Sequence, residues 1–153
     1  MSDRTFNLIV VSPDRALVNM LPVTAVGAAG SEGEFTAMPG HEPFLTDLKD
    51  SNLWFREPGS TEKKEVFVGG GFIEVLPDRV TVLANSCEYT DEIDEERAAR
   101  AVQRREIELK NLKAQAAAGQ LPATETEIEI RKVESKLYRS IARQKAAKKR
   151  HNY

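Results

Sequence analysis

The chain changes its pattern of hydrophobic and polar residues near residue 90. In the first half, apolar residues alternate with other residues in short runs, as at Phe6, Leu8 and Val10, which is the period of a strand with one buried face. Turn-forming segments, one of them at 27–33, separate these runs. The pattern therefore predicts an antiparallel β-sandwich or barrel of short strands. Further β-rich runs lie at 66–68, 73–75 and 80–83.

The second half has the composition of helices. Residues 94–118 contain neither glycine nor proline, and Gly119 follows them as a typical helix end. A capping-box sequence predicts that a second helix begins at Thr126, with Thr124 as an alternative start, and runs to about Arg150. Because the linker is short, the two helices are expected to form an antiparallel hairpin.

The apolar stripes on both predicted helices are thin. Arg105 interrupts the first stripe, and the second fades into the basic segment 145–150. Burying alanine stabilises a helix contact much less than burying leucine does, so we expect a weakly held hairpin that can exchange its contacts. The stripe residues are Ala98, Val102, Leu109, Leu112 and Ala116 on the first helix, and Ile130, Val133, Leu137 and Ile141 on the second.

Composition excludes several classes of protein. The 153 residues are 41% hydrophobic and 30% charged, which is typical of a globular protein, and no apolar run approaches the roughly 20 residues that span a bilayer. The polar N-terminus predicts neither a secretory signal nor a transit peptide. The single Cys87 excludes an internal disulfide, and two histidines are too few for a multi-histidine metal centre.

Charge divides the chain at the same place as the hydrophobic pattern. Residues 1–88 contain 13 acids and 7 bases, whereas residues 89–153 contain 11 acids and 15 bases. We therefore predict two domains, a β-sandwich at 1–88 and a helical domain at 89–153, with different neighbours.

No catalytic constellation emerges from the motifs. The glycines at 69–71 lack the Lys-Ser or Lys-Thr and the helix of a phosphate-binding loop, so a glycine bulge between strands is the better interpretation. His41 lies in a rigid loop, where capping of backbone groups or contact with a partner is favoured over acid–base chemistry. Cys87 is interpreted as a buried structural thiol rather than as half of a thiol–imidazole pair with His41.

The basic end of the chain leaves two interpretations open. Between Val133 and Tyr153 there are seven bases and one acid, which would suit a nucleic-acid-associated protein. A solvated helix face, or one that meets an acidic protein, explains the same charge. Arg139 and Arg143 are four residues apart and share one helix face, which suits a polyphosphate only if other groups converge there.

Three segments in order resemble the epsilon subunit of bacterial and chloroplast F-type ATP synthases. The first comprises residues 30–34 and 38–46, the second 70–75 followed by 80–84, and the third 93–98. The resemblance covers about residues 5–150. It implies an α+β fold, with an N-terminal antiparallel β-sandwich of about ten strands and a C-terminal helical hairpin.

The resemblance also implies a function. Members of this family are non-catalytic rotor subunits of the central stalk, which couple proton-driven rotation of the c-ring to ATP synthesis. Their sandwich binds the gamma subunit and the c-ring, and their helices, when extended toward the alpha and beta subunits, inhibit ATP hydrolysis. The expected location is peripheral, on the cytoplasmic face of the bacterial plasma membrane, with no direct membrane or nucleic-acid contact. The alternative is a free-standing nucleic-acid-associated protein with a basic helical tail.

Site residues carried over from the family fall into two groups. A loop at or near the base of the sandwich would contact the c-ring or the gamma subunit through Ser31, Glu32, Glu34 and His41. No catalytic residue, metal site or required cofactor is implied.

A second group would bind ATP as a regulatory ligand. Residues 93–98, Ile-Asp-Glu-Glu-Arg-Ala, match the signature of nucleotide-binding members. A purely structural interpretation also stands, in which Asp94 caps a helix and Arg97 lies on its surface. The candidate ATP ligands are Glu88, Asp94, Arg97, Arg104, Arg139 and Arg143.

Overall fold

A computed structural model describes residues 3–149, except for the side chain of Lys149. These residues form ten strands, a short 3-10 helix and two long helices. The strands are β1 (Phe6–Val11), β2 (Ala16–Val23), β3 (Ala25–Gly30), β4 (Gly33–Ala37), β5 (Phe44–Leu48), β6 (Ser51–Arg56), β7 (Lys64–Val68), β8 (Gly71–Val75), β9 (Arg79–Ala84) and β10 (Cys87–Tyr89). The 3-10 helix is Thr90–Glu92, and the α-helices are α1 (Glu95–Ala117) and α2 (Ala123–Lys149).

The ten strands form one nearly closed sheet around a hydrophobic core. Its strand order is β10-β7-β6-β3-β5-β8-β9-β1-β2, and β4 pairs with β3 beside this path. The α+β fold with about ten strands and two C-terminal helices is thereby confirmed. The strict antiparallel prediction is wrong at one place, since β1 and β9 run parallel. These two strands lie far apart in sequence, so the long connection that a parallel pair requires is available.

Alternation along each strand decides which residues enter the core. In β1, Phe6, Leu8 and Val10 are buried and the residues between them are half-buried, as the pattern predicts. The core is dense in β-branched residues, which pack well on a pleated surface. Its largest side chains include Leu8, Leu53, Phe55 and Ile73.

Two glycines in the sheet are required by close approach rather than by turns. The turn predicted at 27–33 is wrong for its first residues, because β3 continues through Gly30. Gly27 lies inside β3 because the ring of Trp54 covers it and leaves no room for a Cβ. At Gly71, φ is +117° and a Cβ would overlap the carbonyl oxygen of Leu83. The glycines at 69–71 lead from β7 into β8 and no helix follows them, so they do not form a phosphate-binding loop. The bulge predicted there is not seen, because β7 and β8 do not pair with each other.

Helix α1 begins and ends where its sequence predicts. The side chain of Asp94 accepts a hydrogen bond from the Arg97 amide at 3.0 Å, so Asp94 is the N-cap. At the other end Gly119 adopts φ +69° and its amide donates to Ala116, which closes the last turn.

The predicted start of α2 is wrong by one turn. The helix begins at Ala123, and Thr126 and Thr124 both lie inside it. The Thr126 hydroxyl donates to the carbonyl oxygen of Pro122 at 2.7 Å, so it is committed to the preceding turn and cannot cap. The predicted end at Arg150 lies outside the described residues.

The helix stripes are confirmed in outline. Val102 and Val133 are buried, the other large stripe residues are half-buried, and Lys113 forms a 3.5 Å ion pair with Glu134 between the helices. The second stripe does not fade as expected, because Ala146 and Ala147 are 4% and 0% exposed. Alanine therefore continues the stripe among the lysines.

The chain divides into two compact units, and the division falls between Glu92 and Ile93. This lies beyond the boundary predicted at residue 88, because β10 pairs with β7 and the 3-10 helix is also anchored to the first unit. The Thr90 hydroxyl donates to the carbonyl oxygen of Glu65 at 3.4 Å, and Glu92 forms a 3.3 Å ion pair with Arg15. We call the two parts the sheet unit and the helical unit.

Candidate functional site

The outer side of the sheet unit carries an exposed apolar face. Cross-strand neighbours on β5, β8, β9 and β1 direct side chains away from the core in two rows. Leu45, Phe72 and Leu83 are 68%, 57% and 57% exposed, and Ile9 and Val11 extend the face across β1. Contiguous exposed apolar side chains of this size mark binding surfaces more often than isolated ones do.

Two carboxylates lie among these apolar side chains, on the same side of the sheet. Asp47 is the direct neighbour of Phe72, and Glu74 is the direct neighbour of Leu45. Protein–protein interfaces commonly contain polar as well as apolar area, so the two carboxylates do not argue against binding at this face.

The candidate base loop is built on the β3–β4 turn. Ser31 and Glu32 form the turn itself, Glu34 is the second residue of β4, and all three are exposed. The turn is fixed to β5, since the Ser31 amide donates to the Asp47 carbonyl oxygen at 3.2 Å. A hydrogen bond from the Ser31 side chain is the main cause that lowers the pKa of the Asp47 carboxyl.

His41 lies in the loop between β4 and β5, beside two aromatic rings. Its Nδ1 is 2.6 Å from the carbonyl oxygen of Glu42 and therefore donates to it. Its ring centroid is 6.4 Å from that of Phe44, which in turn makes an edge contact with Phe35 at 5.2 Å. The predicted backbone-capping role is confirmed by this hydrogen bond.

The candidate ATP ligands lie in both units. Glu88 is the middle residue of β10, in the sheet unit. Asp94, Arg97 and Arg104 lie at the start of α1 and along it, and all three are exposed. Backbone hydrogen bonding, chiefly from the Arg97 amide, lowers the pKa of Asp94. An ionised carboxylate at a helix N-terminus is also stabilised by the helix dipole.

The arginine pair lies on α2. Arg139 and Arg143 occupy adjacent turns of one face, and both are half-buried. The sequence pattern predicts this shared face, and it holds in the structure. Two guanidinium groups so placed are suited to bind an anionic group.

Cys87 is buried in the core of the sheet unit, which confirms the structural interpretation of this thiol. Burial raises its pKa, so the reactive thiolate is disfavoured. In the described part of the chain, no group of three or more His, Cys, Asp or Glu side chains is placed to hold a metal ion. Between residues 3 and 149, neither helix is long and apolar enough to cross a membrane.

Sequence reasoning missed the apolar face. The sequence pattern predicts that Phe72 and Leu83 lie in strands, but the side of the sheet on which each side chain projects depends on the register of strands distant in sequence. The sequence does contain a sign of this binding face. Leu45, Phe72 and Leu83 are apolar residues at positions where the alternation of the strand predicts exposed side chains.

Comparisons with known proteins agree with this architecture. Residues 5–90 match the family model described as "ATP synthase, Delta/Epsilon chain, beta-sandwich domain". An ATP synthase epsilon chain of Nitratidesulfovibrio vulgaris strain DP4 is 43% identical over 111 residues, which cover 72% of this chain and 81% of that one. An ATP synthase epsilon chain of Syntrophobacter fumaroxidans is 37% identical over 142 residues, covering 93% and 95% of the two chains.

A solved structure shares the fold. It is a chain of the Euglena gracilis mitochondrial ATP synthase, from a cryo-EM structure of OSCP, F1 and c-ring. The match has a TM-score of 0.70 at 22% identity and covers 93% of this chain and 81% of that chain.

The fold and these relatives together define the class of the protein, a non-catalytic subunit of an ATP synthase complex. This chain belongs to the family of ATP synthase epsilon chains. The nucleic-acid alternative receives no support from these relatives.

Proposed function

We propose that this chain is a rotor subunit of the central stalk of an F-type ATP synthase, on the cytoplasmic face of the bacterial plasma membrane. Its sheet unit binds the gamma subunit and stands on the c-ring, and its helical unit regulates ATP hydrolysis. The observation that carries the proposal is the exposed apolar face around Phe72 in a family of subunits that work inside a complex.

The apolar face is the part of the sheet unit best suited to hold gamma. Large apolar side chains at the centre of an interface contribute most of its binding free energy. The acidic turn at Ser31–Gly33 is polar and projects beyond the sheet, which suits a second, more polar contact with the c-ring. Rotation requires both contacts to hold at once.

Substitution on the apolar face tests the gamma contact. Phe72→Glu should weaken binding of the full-length chain to purified gamma by at least about tenfold, because a charge would be buried in the interface. Ile128→Glu on α2 is the matched control, since Ile128 is 51% exposed and lies in the other unit. Equal loss of binding in both variants would contradict the proposal.

The helical unit is proposed to inhibit ATP hydrolysis when its helices leave the hairpin and extend toward the alpha and beta subunits. The thin seam between α1 and α2 supports this, since few large side chains are fully buried along it. A seam of this kind leaves a small free-energy difference between two packings of the same helices.

Truncation tests the division of labour between the units. The cut belongs after Glu92, because a cut at residue 86 would remove β10 from the sheet. An ATP synthase complex that carries the truncated chain should keep gamma bound and hydrolyse ATP faster than the complete complex. Loss of gamma binding on truncation would contradict the assignment.

ATP is proposed as the regulatory ligand that holds the helices compact. The support is the match of residues 93–98 to the family signature and the arginine pair on one face of α2. The carboxylate of Asp94 would accept hydrogen bonds from the nucleoside, and the arginines would bind phosphate oxygens. No cofactor is required for the rotor role.

A further inference from the structure

We infer that Arg105 sets the balance between the compact hairpin and the separated helices, because it places in the seam a charge that is neutralised within α1 itself. The inference rests on the proposed function, in which the helical unit inhibits ATP hydrolysis after its two helices part. Its basis is the position of Arg105 among the stripe residues, the ion pair that it forms and the unequal composition of the two halves of the seam.

Arg105 occupies a seam position of α1. Val102, three residues before it, is buried, and Leu109, four residues after it, is half-buried. The helical period therefore puts Arg105 on the same side of α1 as these two stripe residues. The side chain of Arg105 is only 30% exposed, whereas that of Arg100 on the same helix is 67% exposed. A charged side chain thus lies where an apolar residue would continue the stripe.

The charge of Arg105 is balanced on its own helix. Its Nη1 donates to Oε2 of Glu108 at 2.8 Å, one turn further along α1. This ion pair can persist whether or not α2 lies beside it, so separation of the helices need not break it. The 3.5 Å ion pair of Lys113 with Glu134 is different, because it joins the two helices and must break when they part. Arg105 therefore occupies the seam without an ion pair that would tie α1 to α2.

The seam consists of two unlike halves. Because a short linker joins the helices and Lys113 pairs with Glu134, Arg105 lies about level with Ile141. Between this level and the linker, the seam residues are mostly large and apolar, and we call this part the linker half. It comprises Leu109, Leu112, Ala116, Ile130, Val133 and Leu137. The remainder, which we call the open half, comprises Ala98, Val102, Arg105, Ile141, Gln144 and Ala147.

The open half gains less from contact between the helices than the linker half does. Burial stabilises in proportion to apolar area, and an alanine offers much less area than a leucine even when it is fully buried, as Ala147 is. A polar residue at a core position of paired helices also lowers the stability of the pair. The helices therefore separate more readily at the open half, and Arg105 limits how firmly this half closes.

The ATP ligands proposed on the helices lie along the same open half. Those on α1 and at its N-cap end at Arg104, and those on α2 begin at Arg139, just beyond Leu137 of the linker half. A ligand that bridges these groups would stabilise the half of the seam that apolar side chains stabilise least. ATP would therefore oppose the separation that Arg105 permits.

Hydrogen exchange of the full-length chain, measured without ATP or partners, tests the role of Arg105 directly. Arg105→Leu places an apolar side chain against α2 and should slow exchange of the α2 amides at 137–147 by about tenfold, because burial of one leucine shifts an equilibrium by about this factor. Arg100→Leu is the matched control, since it makes the same substitution at an exposed position of α1 and should leave exchange unchanged. Equal exchange rates in the two variants would overturn the inference.

ATP hydrolysis by the complete complex shows whether the same balance sets inhibition. A complex with Arg105→Leu should hydrolyse ATP faster than the unmodified complex and approach the complex truncated after Glu92, whereas Arg100→Leu should change nothing. Faster hydrolysis without slower exchange in the isolated chain would mean that Arg105 acts through a contact in the complex, and would overturn the inference. If truncation itself leaves hydrolysis unchanged, the proposed inhibitory role of the helices is wrong, and exchange in the isolated chain still decides the inference about Arg105.

Discussion

At the level of single residues, Asp94 has one role that the structure shows and a second that is proposed. It caps α1 through the Arg97 amide, and it is also a proposed ATP ligand. The capping role could be predicted from an Asp placed before a helical run, and the structure confirms it. Ligand binding could not be decided, because the same geometry serves a structural cap and a nucleotide site equally well.

Two substitutions at Asp94 separate these roles. Asp94→Asn retains a good N-cap and removes the charge, whereas Asp94→Ala removes both. We expect amide exchange at Arg97, whose N–H donates to the Asp94 carboxylate, to accelerate only in the Ala variant. ATP titration by calorimetry should show weaker binding in both variants. If both variants give the same heats of ATP binding as the unmodified chain, Asp94 is not part of the ATP site.

The same titration tests the arginine pair. If an Arg139→Ala/Arg143→Ala double variant gives unchanged heats of ATP binding, these arginines are not part of the site either.

The same carboxylate predicts a pH effect on α1. The pKa of Asp94 is lowered from its ordinary value of 3.8, so the ionised cap stabilises the folded state above that value. Its contribution falls as pH decreases through the lowered pKa. Circular dichroism at pH 2–5 should therefore show a loss of helicity in the unmodified chain that is smaller in Asp94→Asn. Identical dependence of helicity on pH in the two chains would contradict a stabilising role for the ionised Asp94 cap.

Gly71 is the residue at which the sheet tolerates substitution least. Gly71→Ala combines a positive φ with overlap of the Leu83 carbonyl oxygen, and should lower the free energy of unfolding by at least about 3 kcal/mol. Gly59→Ala shares the positive φ but meets nothing within 4 Å, and should lower it by about 1 kcal/mol. Urea denaturation of both variants measures the difference, and equal losses would show that close approach contributes nothing.

At the scale of elements, sequence patterns were most accurate where the hydrophobic period was local. The bounds of α1 follow from its cap, its composition and Gly119. The start of α2 was misplaced because the Thr126 hydroxyl bonds backward to Pro122 instead of capping. The sequence does not predict β3, because the glycines and alanines around Gly27 are typical of a turn. Their place in a strand follows from the ring of Trp54, which lies on Gly27.

The helix hairpin gives a prediction at this scale. Val133 is 4% exposed on α2, and Val133→Ala should lower the stability of the helical unit by about 1–2 kcal/mol. Ile128→Ala, at an exposed position of the same helix, should change it by less than about 0.5 kcal/mol. Hydrogen exchange of α1 and α2 amides is the suitable measurement. Similar effects of the two variants would contradict the packing assigned to Val133.

At the scale of the whole molecule, the division of charge coincides with the division into units. The sheet unit is acidic and its β3–β4 turn is free of bases, whereas the end of the chain carries seven bases after Val133 and one acid. The two units are therefore expected to meet different partners. Composition alone predicted two parts but not their boundary, because β10 and the 3-10 helix continue the sheet beyond the change in charge.

Inhibition of ATP hydrolysis should consequently depend on salt. If the basic helix meets acidic surfaces of the alpha and beta subunits, screening at about 0.5 M salt will weaken the contact, since the Debye length shortens to a few ångströms. Activity of the complex should then approach that of a complex truncated after Glu92. A truncated complex with the same salt response would contradict this prediction.

The parallel pairing of β1 with β9 has a consequence for synthesis of the chain. Strand β1 can pair with β2 as soon as both have been synthesised, but its other neighbour is β9, which lies far along the chain. The sheet cannot close until residue 84 has been made, and pairing across so long a loop is slow. The second edge of β1 therefore stays unpaired in the nascent chain while most of the sheet unit is being translated. We expect the chain to be most prone to aggregation during this interval.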